Sequence, residues 1–137
     1  MKTKVLLSIA AMTISAAMPL LAHHSFAAEY DSNKKLTLTG TVAKVDWMNP
    51  HIWVYVDTKD EKGVVQHWQC EGGPPNTLSR NGWTKDALKP GDKVTVEGFA
   101  AKDGSNTMNS RSVVLPDGRK VFAGTADDGA PKTSAEK

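Results

Sequence analysis

Cysteine is nearly absent: Cys70 is the single thiol, so no disulfide can form within one chain. Stability must come from an apolar core, a metal or a partner. Clusters of positive charge are also lacking, since Lys34-Lys35 and Arg119-Lys120 are the only basic pairs of note beyond the first residues. Nucleic-acid affinity rests largely on clustered positive charge, so nucleic acid is excluded as a partner class. No glycine-rich phosphate loop and no serine in a nucleophile motif is present. With those signatures missing, the chain is not expected to be an enzyme. A long clean apolar run is missing as well. The greasy stretch after Met1-Lys2-Thr3-Lys4 is broken by Ser8, Thr13, Ser15 and Pro19, and no basic cluster follows it. A spanning helix needs about 20 mostly apolar residues.

What that stretch does have is a basic start, a short apolar core and a small residue, Ala22, before polar sequence. Those are the parts of a cleavable secretory signal, so residues 1–22 are expected to be removed and the product to be periplasmic or secreted. Cleavage after Ala27 is the competing position; only a cut after Ala22 leaves His23 as the new terminus. Lys2 and Lys4 leave with the signal, and the mature chain then carries 15 residues of each sign. It is formally neutral, which strengthens the argument against polyanions.

Along the mature chain, residues 23–35 are polar without a clear period and read as an N-terminal arm. Residues 36–124 carry the domain. Leu36, Leu38, Gly40 and Val42 alternate with threonines, as in a half-buried strand. The apolar phase then slips to Val45 and Trp47, which predicts a bulge near Ala43-Lys44. Ile52, Val54 and Val56 alternate with His51, Trp53 and Tyr55 in a second strand, and 64–71 form a third. Pro74 to Gly82 has proline at its start and glycine past its end, the pattern of a short helix. Strands follow at 93–101, with Val94, Val96, Gly98 and Ala100 on one face, and within 107–115; Val121-Phe122 suggests a short last one. Residues 125–137 are small and polar and are expected to be disordered. The fold class is therefore all-β with one short helix, in the order βββαββ of a five-stranded OB-fold-like barrel. A small open β-sandwich is the competing architecture.

Three stretches carry a resemblance. His23-His24-Ser25-Phe26-Ala27-Ala28-Glu29-Tyr30-Asp31, Trp47-Met48-Asn49-Pro50-His51-Ile52-Trp53, and Pro90 to Gly98 with Ala101-Lys102-Asp103-Gly104-Ser105 resemble a family of small exported bacterial proteins known as a domain of unknown function. The resemblance spans nearly all of the mature chain. It implies an OB-like architecture and export, and it transfers no catalytic residue.

Two constellations have ligand chemistry. A mature start at His23 offers an α-amine and an imidazole from one residue. A further imidazole from His24 or His51 would complete a nitrogen-rich site suited to Cu(II). Met48 and His51 together offer a thioether and an imidazole, ligands for Cu(I), with Met108 as the one other methionine in reach. Copper is thus the expected metal. The plainer reading makes His23-His24 a solvated arm, Met48 a gap filler and the tryptophans core. A second ligand class remains open: Trp47, Trp53 and Tyr55 can form an aromatic platform for a periplasmic protein or glycan. His67 and Cys70 are three apart on one strand, so they fall on opposite faces and form no joint site. Gly72-Gly73 reads as a hinge.

Overall fold

The computed structural model describes residues 26–136. Residues 1–22, expected to be a signal segment, and His23 and His24 lie outside the described residues. In chain order the elements are α1 (Phe26–Glu29), β1 (Tyr30–Asp46), β2 (Trp53–Lys59), β3 (Val65–Glu71), α2 (Pro75–Arg80), β4 (Lys93–Ala101), β5 (Thr107–Val114) and β6 (Lys120–Phe122), with a final 3-10 turn at Ser134–Glu136. The expected strand, strand, strand, helix, strand, strand order is present, with β6 added.

Strand β1 is long because it serves two partners. Its first part pairs antiparallel with β4, and Thr41 to Asp46 pair with β2. The two pairings overlap at Thr41, and a register shift follows within the β2 pairing between Val42 and Lys44, where the apolar phase slips in the sequence. Gly40 sits just before it, and a Cβ there would lie 2.2 Å from the Asp57 carbonyl oxygen, so the crossing of β1 over β2 admits only glycine. A parallel pairing of Gln69–Glu71 with Thr107–Asn109 joins β3 to β5. That pairing closes the strands into a ring, which rules out the open sandwich.

The ring is filled by Leu38, Val42, Val54, Val56, Cys70, Val94, Val96, Met108 and Val113, with Ile52, Leu78, Trp83 and Leu88 joining the same cluster. Trp83 is 1% exposed and takes the edge of Trp47 at a centroid distance of 6.0 Å. Burial pushes the Cys70 thiol up to about 12, so it behaves as a small inert hydrophobe.

Both ends of the domain differ from expectation. The arm 23–35 contains α1 and the start of β1, because Phe26 and Tyr30 find partners that are remote in sequence. Phe26 stacks on Tyr30 and meets Phe99 edge-on at 5.3 Å, and Ala101 and Ala130 close this second cluster. Lys102 ties α1 down, donating its backbone N–H to the Glu29 carbonyl at 2.9 Å and its ammonium to the Ala27 carbonyl. The tail from 125 is also packed rather than disordered. Arg111 is left out of the β4–β5 register, between the pairs Glu97↔Ser112 and Gly98↔Ser110. Its guanidinium, 1% exposed, holds Asp128 at 3.0 Å and Glu136 at 2.5 Å. Gly72-Gly73 is no hinge. Both glycines are buried, and Gly72 N–H donates to Ile52 O while Gly73 N–H donates to Ala123 O, each at 2.8 Å.

Candidate functional site

Register builds a row across the outside of the ring. Phe99 pairs with Asn109, Asn109 with Glu71, Glu71 with Trp53 and Trp53 with Asp46. Their neighbours Cys70 and Val54 point into the core, so alternation turns Glu71 and Trp53 outward. Glu71 ends β3, and the fixed backbone of Gly72-Gly73 follows it directly.

Glu71 is where the two motif segments meet. The Tyr30 hydroxyl donates to Glu71 Oε2, and His51 Nδ1 lies 2.6 Å from Oε1. A carboxylate can only accept, so the neutral His51 ring places its proton on Nδ1. His51 stands just after a cis Asn49–Pro50 peptide. Its neighbour Ile52 donates N–H to Gly73 O at 3.1 Å and accepts from Gly72, which holds the histidine against the end of β3. The His51 side chain is 23% exposed and that of Glu71 is 13% exposed. His51 Nε2 has no hydrogen-bond partner among the described residues. Beside Glu71 in the row, the buried Asn109 Oδ1 likewise has no partner among them. A groove of about 300 Å³ opens next to Tyr30, bordered by Ala28, Lys102, Asp103, Ser105 and Thr107.

The Tyr30 phenol is raised well above its ordinary value of 10.0, first by burial, then by its hydrogen bond to Glu71 and the charge of that carboxylate. The folded state therefore keeps a proton that the unfolded chain loses above pH 10. The Tyr30 contribution to stability is fully present below pH 10 and falls away as pH rises beyond it. Urea unfolding between pH 8 and pH 11 is expected to show this decline, and Tyr30→Phe is expected to flatten it. An equal alkaline decline in that variant would assign the loss to other groups.

The remaining candidates separate. Met48 is 53% exposed in the turn before β2, whereas Met108 is fully buried in the core, so the two thioethers occupy different environments. Trp47 is half-buried and packs on the core cluster against Trp83. Trp53 and Tyr55 are half-buried on the outer side of β2, and the Lys44 ammonium already covers the Tyr55 ring at 5.2 Å. His67 is exposed and paired with Asp57 at 2.6 Å, on the face opposite Cys70. No group of three or more His, Cys, Asp or Glu residues with metal-site geometry occurs among the described residues. None of their helices is long and apolar enough to cross a membrane. Sequence reasoning missed Glu71 and Tyr30. The available signal was that Tyr30 and His51 each lie inside one of the distinctive motifs, which a shared acceptor explains.

The fold and this cluster define a small β-ring domain that carries a carboxylate-centred polar site at one end. Residues 11–110 match the family of unknown function DUF6152, and the chain belongs to that family. No curated protein matches the chain.

Proposed function

We propose that this protein is an exported, non-enzymatic binding module for a transition metal, with copper first. The observation that carries the reading is the convergence of Tyr30 and His51 on Glu71. Through it, the chain that begins three residues beyond His23 is anchored beside a histidine whose Nε2 has no partner among the described residues. A ligating histidine commonly donates its other ring N–H to a carboxylate, and His51 has that partner. The proposed donors are the α-amine and ring of His23, with His24 or His51 assisting; Met48 is exposed on the same turn and adds a thioether for the reduced ion. The signal-like start supports a periplasmic or secreted location, and its removal after Ala22 would make the His23 terminus available.

The test is a Cu(II) titration followed by electron paramagnetic resonance, on protein starting at His23 and on protein carrying one extra N-terminal residue. The extra residue turns the amine into an amide. It is expected to weaken binding at least about tenfold, because a lost ligand costs more than a lost orienting partner, which already costs 10–100-fold. Identical spectra and affinities would remove the terminal amine from the site. A second reading keeps the metal out and uses Trp53, still half-exposed on β2, to hold a protein or glycan partner. A protein that stays metal-free under titration while its tryptophan fluorescence responds to oligosaccharide, a response lost in Trp53→Phe, would favour it.

A further inference from the structure

Imidazole free in water carries its proton mainly on Nε2, the nitrogen a metal would have to meet here. His51 is held the other way round. Its Nδ1 lies 2.6 Å from Glu71 Oε1, while the second oxygen of the same carboxylate takes the Tyr30 hydroxyl. The carboxylate is fixed from three sides: by Tyr30, by the strand pairing of Glu71 with Trp53 and Asn109, and by the buried glycines that follow. We propose that Glu71 is the positioning residue that selects the nitrogen of His51 offered to a ligand, locking Nδ1 as donor and leaving Nε2 as a lone-pair donor to a nitrogen-preferring metal ion. This rests on the metal reading for its purpose, though not for its geometry.

The arrangement also sets the class of ion. Each Glu71 oxygen already receives a hydrogen bond, so the carboxylate acts as an orienting group and the open donor is an imidazole nitrogen. Imidazole suits copper, zinc and nickel, whereas magnesium and calcium require several oxygen donors. Glutamine at this position would be an ambiguous substitute, because its carbonyl oxygen could still accept from Nδ1 while its amide donates to the Tyr30 hydroxyl, which accepts as well as donates. Glu71→Ala removes the acceptor altogether. The His51 proton then returns mainly to Nε2, as in free imidazole, and closes the site.

The experiment reads the ring directly. Long-range proton–nitrogen correlation spectra of metal-free protein at neutral pH, starting at His23, report the tautomer of each histidine. The expected result is an unprotonated Nε2 at His51 in the wild type and a mainly protonated one in Glu71→Ala. His67, bonded to Asp57, serves as an internal control that the substitution leaves unchanged. A wild-type ring protonated on Nε2 overturns the proposal, and so does an unchanged tautomer in Glu71→Ala. Should that variant fail to fold, the wild-type spectrum alone decides. Zn(II), diamagnetic and imidazole-seeking, is then titrated in: the His51 Nε2 resonance is expected to shift, with affinity about 10–100-fold weaker in Glu71→Ala. Magnesium is expected to leave it in place. The expected tautomer with no response to Zn(II) would remove His51 from the ligand set and leave the orienting role of Glu71 intact, while the Cu(II) titration on the two N-termini decides the metal reading separately.

Discussion

Val54→Asp is expected to abolish the cooperative unfolding transition or to lower its urea midpoint drastically. Val54 is 2% exposed and faces Cys70 across the β2–β3 pair. The side chains of its core cluster are uncharged, so a carboxylate placed among them finds no cation there. Burial of such an unpartnered group costs on the order of 5 kcal/mol even after protonation and local relaxation. A domain of this size has a total stability of about 5–15 kcal/mol, so that cost consumes much of it. Tyr55→Asp, one residue along on the outer side of β2, is the control and is expected to cost about 1 kcal/mol or less beyond the lost ring contacts. Circular dichroism across a urea series separates the two. Equal midpoints for the two variants would mean that the inward face of β2 is misassigned.

That contrast works because alternation is a local signal. Ile52, Val54 and Val56 announce the inner face of β2 within five residues, and all three are buried. The break in β1 was legible for the same reason, since a slip from Val42 to Val45 can be counted in the sequence and the register shift falls there. Helix α2 was legible from its proline and from Gly82, which takes a left-handed φ of 88° just past its end. The polar site was legible only in halves. Tyr30 and His51 stood in conspicuous motifs, yet their common partner is 41 residues from one and 20 from the other. A single glutamate at a strand end looks the same in sequence whether it meets water or two donors. The two termini were misread for a related reason. Phe26, Tyr30 and Ala130 are too sparse to make a period, and their partners Phe99 and Ala101 lie on the outward phase of β4, where a half-buried strand is expected to be polar.

Arg111→Ala is expected to cost about 3 kcal/mol and to release the C-terminal segment. Arg111 is the residue that the β4–β5 register skips, and its guanidinium emerges on the outer face of β5 under the tail. It bonds Asp128 and Glu136, whose side chains are 12% and 11% exposed, and donates to the Thr125 carbonyl at 3.2 Å. The Phe122 ring lies 5.1 Å from it. Breaking a buried ion pair from one side costs about 3–5 kcal/mol, because the remaining charge is stranded. Here the stranded carboxylates sit near a chain end and can swing into water, which places the cost at the low end of that range. The release has a second consequence: the Asp128 carbonyl accepts the Phe26 N–H, and Ala130 packs in the Phe26–Tyr30–Phe99 cluster, so the hold on the N-terminal segment loosens as well. Limited proteolysis is expected to cut Arg111→Ala after residue 125 before the ring unfolds. Truncation at Thr125 inverts the problem, since it strands the cation instead of the carboxylates. Arg111→Met should therefore destabilise the full chain and stabilise the truncated one, and calorimetry on the four proteins reads the reversal of sign. Destabilisation of the same size in both backgrounds would show that Arg111 acts through packing on Phe122 rather than as the anchor of the tail.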